Sequence, residues 1–354
     1  MQRATATIPG EHVVDIREAL GAVVDGRHLS QAEAAAVMDA IMSGAATPAQ
    51  IGAFLTALRL KGESDAEIAG MAEVMRTHAT LVEVDLPVTD TCGTGGDGSH
   101  TFNISTTAAF VAAGAGLTIA KHGNRAMSSR CGSADLLEGL GVTIELDAAA
   151  VARCMREVGI GFMFAPAFHP AMRFAGPVRR EIGIRTIFNV LGPLTNPARA
   201  QSQLLGVASA PLAEKMAAAL SRLDIGHALV IHGDGGIDEL SLSGPNLMIE
   251  VRRGQPLRRW MLDPTDLGLS PAPHSALRGG DVALNVALTR AILTGEDRGP
   301  RRDVVLLNAA AALLAGDRAT TLADGLAQAR ASLDEGQALD RLERLITVSR
   351  ATHG

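Results

Sequence analysis

One short stretch, DTCGTGGDGSHTFNIST at positions 90–106, combines four closely spaced glycines with hydroxyl and amide side chains. Glycine allows positive φ and lets backbone N–H groups approach a ligand closely. The stretch joins a predicted strand, VTDTC, to a predicted helix at 105–115, and a helix N-terminus favours an anion. This arrangement predicts a loop that holds a phosphate group, although tight packing alone also produces glycine-rich turns.

The glycine loop lacks two familiar nucleotide-binding patterns. The G-x-G-x-x-G spacing of a dinucleotide site with its acidic residue is absent, and so is G-x-x-x-x-G-K-[ST]. Donors at the start of the following helix can hold phosphate oxygens or a metal ion, and their alternative role is ordinary N-capping. These donors are Asn103, Ser105, Thr106 and Thr107.

A second polar cluster follows the next predicted strand, LTIAK, in the run KHGNRAMSSRCGSADLLE. In open α/β sheets ligands bind beyond the carboxyl ends of the strands, which is where this run is expected. A third candidate, GIDELSLSG, places Asp238 and Glu239 after the predicted strand HALVIHG. By itself, such an adjacent acidic pair is typical of a solvated turn.

The residues up to about 79 are predicted to form a helical block, because three capping boxes occur in succession. Apolar residues then recur at helical spacing, as at Ile51, Phe54, Leu55 and Leu58. Such a face packs inside its own domain or against a second subunit. The capping pairs are Ser30 with Glu33, Thr47 with Gln50, and Ser64 with Glu67.

From about Pro87 the pattern changes to short apolar runs that alternate with helical segments. The predicted strands are VTDTC, LTIAK, VTIEL, GFMFA, LLGVA and HALVIHG, and the predicted helices span 105–115, 133–140, 147–158 and 213–223. This alternation predicts an α/β fold with a largely parallel sheet covered on both faces. Prolines and arginines interrupt it at 165–197, where we predict an excursion back into the helical domain. DVVLLNAAAALLAG predicts an apolar helix near the C-terminus.

Size and charge narrow the functional classes. The chain has 354 residues, 47% of them hydrophobic, which is enough for two compact domains or one elaborated domain. The net charge of −6 disfavours a general nucleic-acid binder. We expect a soluble cytoplasmic protein, because no signal peptide or bilayer-spanning stretch is evident. Cys92, Cys131 and Cys154 match no metal or disulfide pattern and are expected to be reduced and mostly buried.

Taken together, GTGGDG, NIST, KHGNRAMSS and GSADLLE resemble the anthranilate phosphoribosyltransferase family. The similarity continues through HPAM, PVRREIGIRTIFNVLGPLTNP and DELSLSG, so it covers nearly the whole chain. The resemblance implies a transferase that moves the 5-phosphoribosyl group of phosphoribosyl pyrophosphate to the amine of anthranilate. That reaction gives N-(5-phosphoribosyl)anthranilate and pyrophosphate, and it belongs to L-tryptophan biosynthesis.

The resemblance also implies a nucleoside-phosphorylase-like fold, in which a small α-helical domain is hinged to a larger α/β domain with a central, largely parallel sheet. On this chain the small domain would take residues 1–84 plus 166–200, and the α/β domain residues 85–165 plus 201–354. Family members usually form homodimers through the small domains. The resemblance therefore implies two small-molecule substrates and a second copy of the chain as partners, with no nucleic acid and no membrane.

The family's contacts to phosphoribosyl pyrophosphate carry over to three segments of this sequence. Backbone amides suit such a polyanion because they donate hydrogen bonds without adding bulk. Lys121 is the point charge among the side chains and would act by electrostatic stabilisation. The implied contacts are Gly93, Gly96, Asp97, Thr101, Asn103, Ile104, Ser105, Thr106, Lys121, His122, Gly123, Asn124, Arg125, Ala126, Met127, Ser128, Ser129 and Ser133.

The resemblance makes Asp238 and Glu239, with Ser105 as a further ligand, a site for Mg²⁺, whose preferred ligands are hard oxygens. It assigns the carboxylate of anthranilate to Arg179, because a guanidinium pairs with a carboxylate through two hydrogen bonds.

Gly93 and Asn124 are the other implied anthranilate contacts. Arg180 is assigned a structural role, and His169, Met172 and Arg173 are expected to border the access path of the aromatic substrate. No residue, His122 included, is assigned as acid or base, since an aromatic amine is already a nucleophile.

Two other functions remain open at the level of sequence. A pyrimidine-nucleoside phosphorylase would share the fold and would cleave thymidine or uridine with inorganic phosphate. A nucleic-acid-binding relative is a different class, and both the acidic net charge and the Asp238–Glu239 pair disfavour it.

Overall fold

The computed structural model describes residues 15–126 and 129–351. Four helices come first, and all three capping boxes are confirmed: Ser30, Thr47 and Ser64 each accept from the N3 backbone while the N3 side chain accepts in return. The helices are α1 (Ile16–Val24), α2 (Gln31–Met42), α3 (Pro48–Lys61) and α4 (Asp65–Thr77).

The chain then alternates between strands and helices as predicted from Pro87 onward. The first group is β1 (Thr89–Gly93), α5 (Ile104–Gly114), β2 (Ile119–Gly123), α6 (Ser133–Leu140), α7 (Ala148–Val158) and β3 (Ile160–Phe164). The excursion follows as α8 (Ala165–Phe168), α9 (Met172–Ile182) and α10 (Phe188–Leu191). The last group is β4 (Ser202–Gly206), α11 (Ala210–Arg222), β5 (His227–His232), β6 (Asn246–Arg252), β7 (Arg258–Leu262), α12 (Val282–Leu293), α13 (Pro300–Ala315), α14 (Leu322–Asp334) and α15 (Gln337–Ala351).

The seven strands form one sheet in the order β3-β2-β1-β4-β5-β6-β7. The five strands from β3 to β5 are parallel, and β6 and β7 add to one edge as antiparallel strands. A small helical domain and a larger α/β domain with a largely parallel sheet are therefore present, which confirms the predicted fold class. Among the described residues, no helix is both long and apolar enough to cross a membrane.

One predicted strand is wrong: VTIEL, at 142–146, pairs with no strand. Val142, Ile144 and Leu146 do alternate into the core, but the segment only connects α6 to α7. Its Thr143 N–H donates to the Ser349 hydroxyl on α15 rather than to a neighbouring strand. Burial of every second residue thus indicates an extended backbone. Whether that backbone joins a sheet depends on whether another strand lies beside it.

The excursion packs onto the first helices, since α9 contacts α2 and α3 while α10 contacts α4. Two apolar cores result. One surrounds the buried helices α5 and α13, and the other joins the small-domain helices to α11 and the opposite face of the sheet. The carboxyl ends of the parallel strands therefore face the excursion across a cleft.

Candidate active site

The glycine loop leaves β1 at Gly93 and reaches α5 at Ile104. Gly95, Gly96 and Gly98 have φ values of +67°, +69° and +73°, in the left-handed region that favours glycine. The N-cap residue of α5, Asn103, does not cap the helix with its own side chain: its amide donates instead to the carbonyl of Cys131 at 3.2 Å. The predicted alternative role of these polar residues, N-capping, is therefore not taken at Asn103.

The acidic pair lies directly against this loop. Asp238 Oδ2 accepts from the Gly95 N–H at 2.6 Å, and Glu239 Oε1 accepts from the Ser105 N–H at 3.0 Å. Burial, followed by the charge of Asp97, raises the pKa of Asp238 to about 7. Burial, followed by the charge of Asp238, raises the pKa of Glu239 to about 8. These half-buried carboxylates lie side by side with raised pKa values, so a cation would stabilise their charged forms.

Glycines at the ends of three strands leave the space that the acidic pair occupies. A Cβ on Gly206, at the end of β4, would lie 1.7 Å from the Asp238 carbonyl oxygen. A Cβ on Gly233 would lie 2.1 Å from the Glu239 carbonyl oxygen, and one on Gly93 would lie 2.2 Å from Asp238 Oδ2. The sequence predicted that Gly93 contacts the substrates. It did not predict that Gly93 makes room for Asp238, because the two residues are far apart in the chain.

A buried asparagine also fixes this loop. Asn308 on α13 is fully buried, and its side chain accepts from the Leu240 N–H and donates to the Leu240 carbonyl, both at 3.0 Å. The amide thereby pairs with the backbone immediately after Glu239. No motif pointed to Asn308, because its partner lies 68 residues away in sequence.

Lys121 is buried in the middle of β2, where its ammonium donates to the Thr91 carbonyl at 2.6 Å and lies 3.5 Å from the Ser105 hydroxyl. Burial lowers the pKa of Lys121, against the charge of Asp90 beneath it. The next residue, His122, packs its ring 5.0 Å from that of His169. Burial lowers the pKa of these two imidazoles to about 3 and about 4, so both are neutral near pH 7.

The segment after β2 folds onto the N-terminus of α6. The Arg125 guanidinium pairs with Asp135 at 3.1 Å and Glu138 at 2.8 Å, so it is occupied within the protein itself. The Asn124 carbonyl accepts from the Ser133 hydroxyl at 3.4 Å.

The other implied contacts lie around the same edge of the sheet. Met127 and Ser128 lie outside the described residues. Ala126 N–H donates to Asp135, Gly123 lies against Ser133, Thr101 bridges to Arg278, and Ile104 is buried in the core.

Several buried polar atoms at this edge have no hydrogen-bond partner among the described residues. They include the hydroxyl oxygens of Thr91, Thr94 and Thr106, the amide oxygen of Asn103, and Nε2 of His122. Most buried polar groups in proteins are paired, so a cluster of unpaired ones beside a glycine loop indicates a place where a polar ligand binds.

Arg179 lies across the cleft from the glycine loop, with its guanidinium 5.0 Å from the centre of the Phe188 ring. The cleft has a volume of about 700 Å³. Arg180, predicted to be structural, lines it as well, and so does Arg185, which the sequence reading did not single out. The lining residues are Gly96, Gly98, His100, Ser129, Gly176, Arg179, Arg180, Gly183, Ile184, Arg185 and Asn189.

The residues expected along the aromatic access path are placed differently from one another. His169 is buried beside His122, Met172 is half-buried at the start of α9, and Arg173 is exposed with its guanidinium 4.5 Å from the centre of the Phe174 ring. None of the three lines the cleft described above.

Comparison with known proteins identifies the family. Residues 85–339 match the glycosyl transferase family a/b domain, and residues 17–79 match the helical bundle domain of that family. An anthranilate phosphoribosyltransferase of Chloroflexus aggregans is 75% identical over 337 residues, covering 95% of this chain and 99% of the relative. This chain belongs to the anthranilate phosphoribosyltransferase family.

Solved structures of the family share the architecture. The enzyme of Thermus thermophilus is 47% identical with a TM-score of 0.89, and the match covers 94% of this chain and 99% of that one. The Saccharomyces cerevisiae enzyme in complex with PRPP (phosphoribosyl pyrophosphate) and Mg is 28% identical with a TM-score of 0.87, covering 96% and 100%. Family membership and fold therefore agree over nearly the whole chain.

Proposed function

We propose that this chain transfers the 5-phosphoribosyl group of phosphoribosyl pyrophosphate to the amine of anthranilate, releasing pyrophosphate and forming N-(5-phosphoribosyl)anthranilate. Family membership supports this reaction. The observation that carries it at the site is the meeting of the glycine loop, the N-terminus of α5 and the acidic pair at one edge of the sheet. Arg179 lines the same cleft as the glycine loop.

The phosphoribosyl half of the site lies on the α/β domain. The phosphates bind to backbone N–H groups of the glycine loop and of the first turn of α5 other than those of Gly95 and Ser105, which donate to the acidic pair. The helix dipole adds to their attraction. Thr106 and Asn103 supply the unpaired oxygens noted above, and Lys121 supplies a buried positive charge next to Ser105. Arg125 contacts this substrate only if it leaves Asp135 and Glu138.

Asp238, Glu239 and the Ser105 hydroxyl suit Mg²⁺, because all three offer hard oxygens and because partial desolvation and neighbouring carboxylates disfavour the charged forms of Asp238 and Glu239. Among the described residues, no group of three or more His, Cys, Asp or Glu side chains is arranged to hold a metal. Oxygens of the substrate must therefore complete the shell, as is usual for Mg²⁺. When bound, the ion neutralises charge that develops on the departing pyrophosphate.

Arg179 binds the anthranilate carboxylate, with Gly93 and Asn124 near the amine. The aromatic amine attacks the anomeric carbon from the face opposite the pyrophosphate while the ribose gains oxocarbenium character. The neutral His122 is not needed as a base, since the amine carries its own lone pair. Catalysis then depends on positioning and on the electrostatics of the phosphate half-site.

Arg179 and the glycine loop lie on opposite sides of the cleft, so alignment of the two substrates requires closure of the two domains. We divide the chain into residues 1–84 plus 166–200 and residues 85–165 plus 201–354. The small domain would also form a homodimer, which the exposed Val24 on α1 and Leu60 on α3 support. X-ray scattering with both substrates tests closure, since an unchanged radius of gyration would contradict it.

The function is tested by following the loss of anthranilate fluorescence after the protein is mixed with phosphoribosyl pyrophosphate and Mg²⁺. A parallel sample with excess chelator should show no loss, and Glu239→Gln should lower the rate at every Mg²⁺ concentration below saturation. Absence of turnover by well-folded protein, together with phosphorolysis of thymidine or uridine, would replace the transferase with a nucleoside phosphorylase.

A further inference from the structure

Arg185 lies in a short turn between two helices of the excursion. Gly183 ends α9 in the left-handed conformation, and the Asn189 side chain accepts from the Thr186 N–H at 2.9 Å just after it. Thr186 itself is buried. The backbone on both sides of Arg185 is therefore fixed, and the long side chain is the part that can reorient.

The Arg185 guanidinium reaches the glycine loop with its terminal nitrogens. Its Nη2 donates to the Gly95 carbonyl at 3.2 Å, and a Cβ on Gly96 would fall only 1.4 Å from its Nη1. Any side chain at position 96 would thus displace the guanidinium. Gly96 adopts a left-handed backbone conformation, and its lack of a side chain leaves room for the Arg185 guanidinium from the opposite side of the cleft.

This guanidinium has unused binding capacity. Of the five N–H donors that an arginine offers, one makes a hydrogen bond to a residue in the described part of the chain. Within residues 15–126 and 129–351, no carboxylate lies within ion-pair distance of it. By contrast, Arg125, in the segment after β2, is paired with two carboxylates. An unneutralised guanidinium that lies beside the backbone of the glycine loop is suited to a diphosphate.

The negative charges of the two substrates indicate which of them the Arg185 guanidinium binds. Anthranilate carries a single carboxylate, for which Arg179 suffices, whereas phosphoribosyl pyrophosphate carries most of the negative charge that enters the cleft. We propose, on the basis of the function proposed above, that Arg185 binds the pyrophosphate group across the cleft. Pyrophosphate held between the glycine loop and Arg185 then draws the excursion, and with it Arg179, toward the ribose.

The test compares Arg185→Gln and Arg185→Lys with the parent protein, using Arg156→Ala as a control because Arg156 is an exposed arginine on α7, outside the cleft. Calorimetric titration with inorganic pyrophosphate and Mg²⁺ gives affinities without turnover. Arg185→Gln should weaken pyrophosphate binding and raise KM for phosphoribosyl pyrophosphate by about tenfold to hundredfold, the effect of losing hydrogen bonds to a charged group. Arg185→Lys should lose less, because it retains the charge.

Three outcomes would overturn the assignment. Equal pyrophosphate affinity in the parent and in Arg185→Gln would show that there is no contact. A loss in Arg185→Gln no larger than that in Arg185→Lys would show that the positive charge of the residue does not contribute to pyrophosphate binding. A higher KM for phosphoribosyl pyrophosphate with unchanged pyrophosphate affinity would place the contact at the ribose 5-phosphate. Failure of the parent protein to turn over anthranilate would instead refute the proposed function, and thermal unfolding of each variant checks its fold.

Discussion

Replacing Gly206 with alanine should displace the acidic pair without touching either substrate directly. Gly206 is the last residue of β4, pairs with Gly93 and Ile231 in the sheet, and has a φ that alanine adopts without strain. The effect therefore arises from space alone. A Cβ at this position would lie 1.7 Å from the Asp238 carbonyl oxygen and 2.6 Å from its carbonyl carbon.

The size of the effect follows from that distance. Ordinary van der Waals contact begins at 3.4 Å, twice the 1.7 Å between the added Cβ and the Asp238 carbonyl oxygen. The Asp238 backbone and the new methyl group must therefore move apart by that difference. The strand is held by neighbours on both sides, so most of the movement falls on the Asp238–Glu239 loop. Overpacking of this kind costs about 1–3 kcal/mol of unfolding free energy. A misplacement of about 1 Å at a catalytic centre lowers the rate about a hundredfold.

The assay is the initial rate of anthranilate consumption as a function of Mg²⁺ concentration. Gly206→Ala should raise the half-saturating Mg²⁺ concentration and lower kcat, while KM for anthranilate stays close to the parent value because Arg179 lies on the other side of the cleft. Gly21→Ala is the control: outside its own helix, no heavy atom of the described residues lies within 4 Å of the Cβ that alanine would add, and alanine in a helix gains about 0.5–1 kcal/mol over glycine. A folded Gly206→Ala protein with the parent Mg²⁺ dependence would refute the reasoning.

The remaining predictions concern both halves of the site. Arg179→Ala should raise KM for anthranilate far more than KM for phosphoribosyl pyrophosphate in steady-state kinetics, and equal increases would contradict the carboxylate assignment. Asn308→Ala leaves the Leu240 N–H and carbonyl buried without a partner, so denaturant titration should show a loss of about 2–4 kcal/mol, with a higher Mg²⁺ requirement. Because the raised pKa values of Asp238 and Glu239 keep protons on these carboxyls until the pH passes about 7 to 8, Mg²⁺ affinity should rise with pH through that range and level off above it. A pH-independent requirement in rate measurements would contradict the buried pair.

Features with local causes were predictable from the sequence. The capping boxes at Ser30, Thr47 and Ser64 formed because both partners lie three residues apart, so no distant contact is needed. The glycine loop and its place between β1 and α5 were predictable for the same reason. The antiparallel strands β6 and β7 were missed, since their sequences NLMIEVR and RRWML carry charged residues toward the sheet edge and lack the continuous apolar run of a buried parallel strand.

The sequence by itself determined which chemistry was available: a glycine loop for phosphate, an acidic pair for a cation and arginines for anions. Tertiary structure alone decided how these groups combine. Gly206 and Asn308 hold the acidic pair from positions far away in the chain, and Arg185 reaches Gly95 across 90 residues. Likewise, VTIEL alternates like a strand, but no strand lies beside it. Such contacts are set by the packing of the sheet against the helices, and no pattern of neighbouring residues records them.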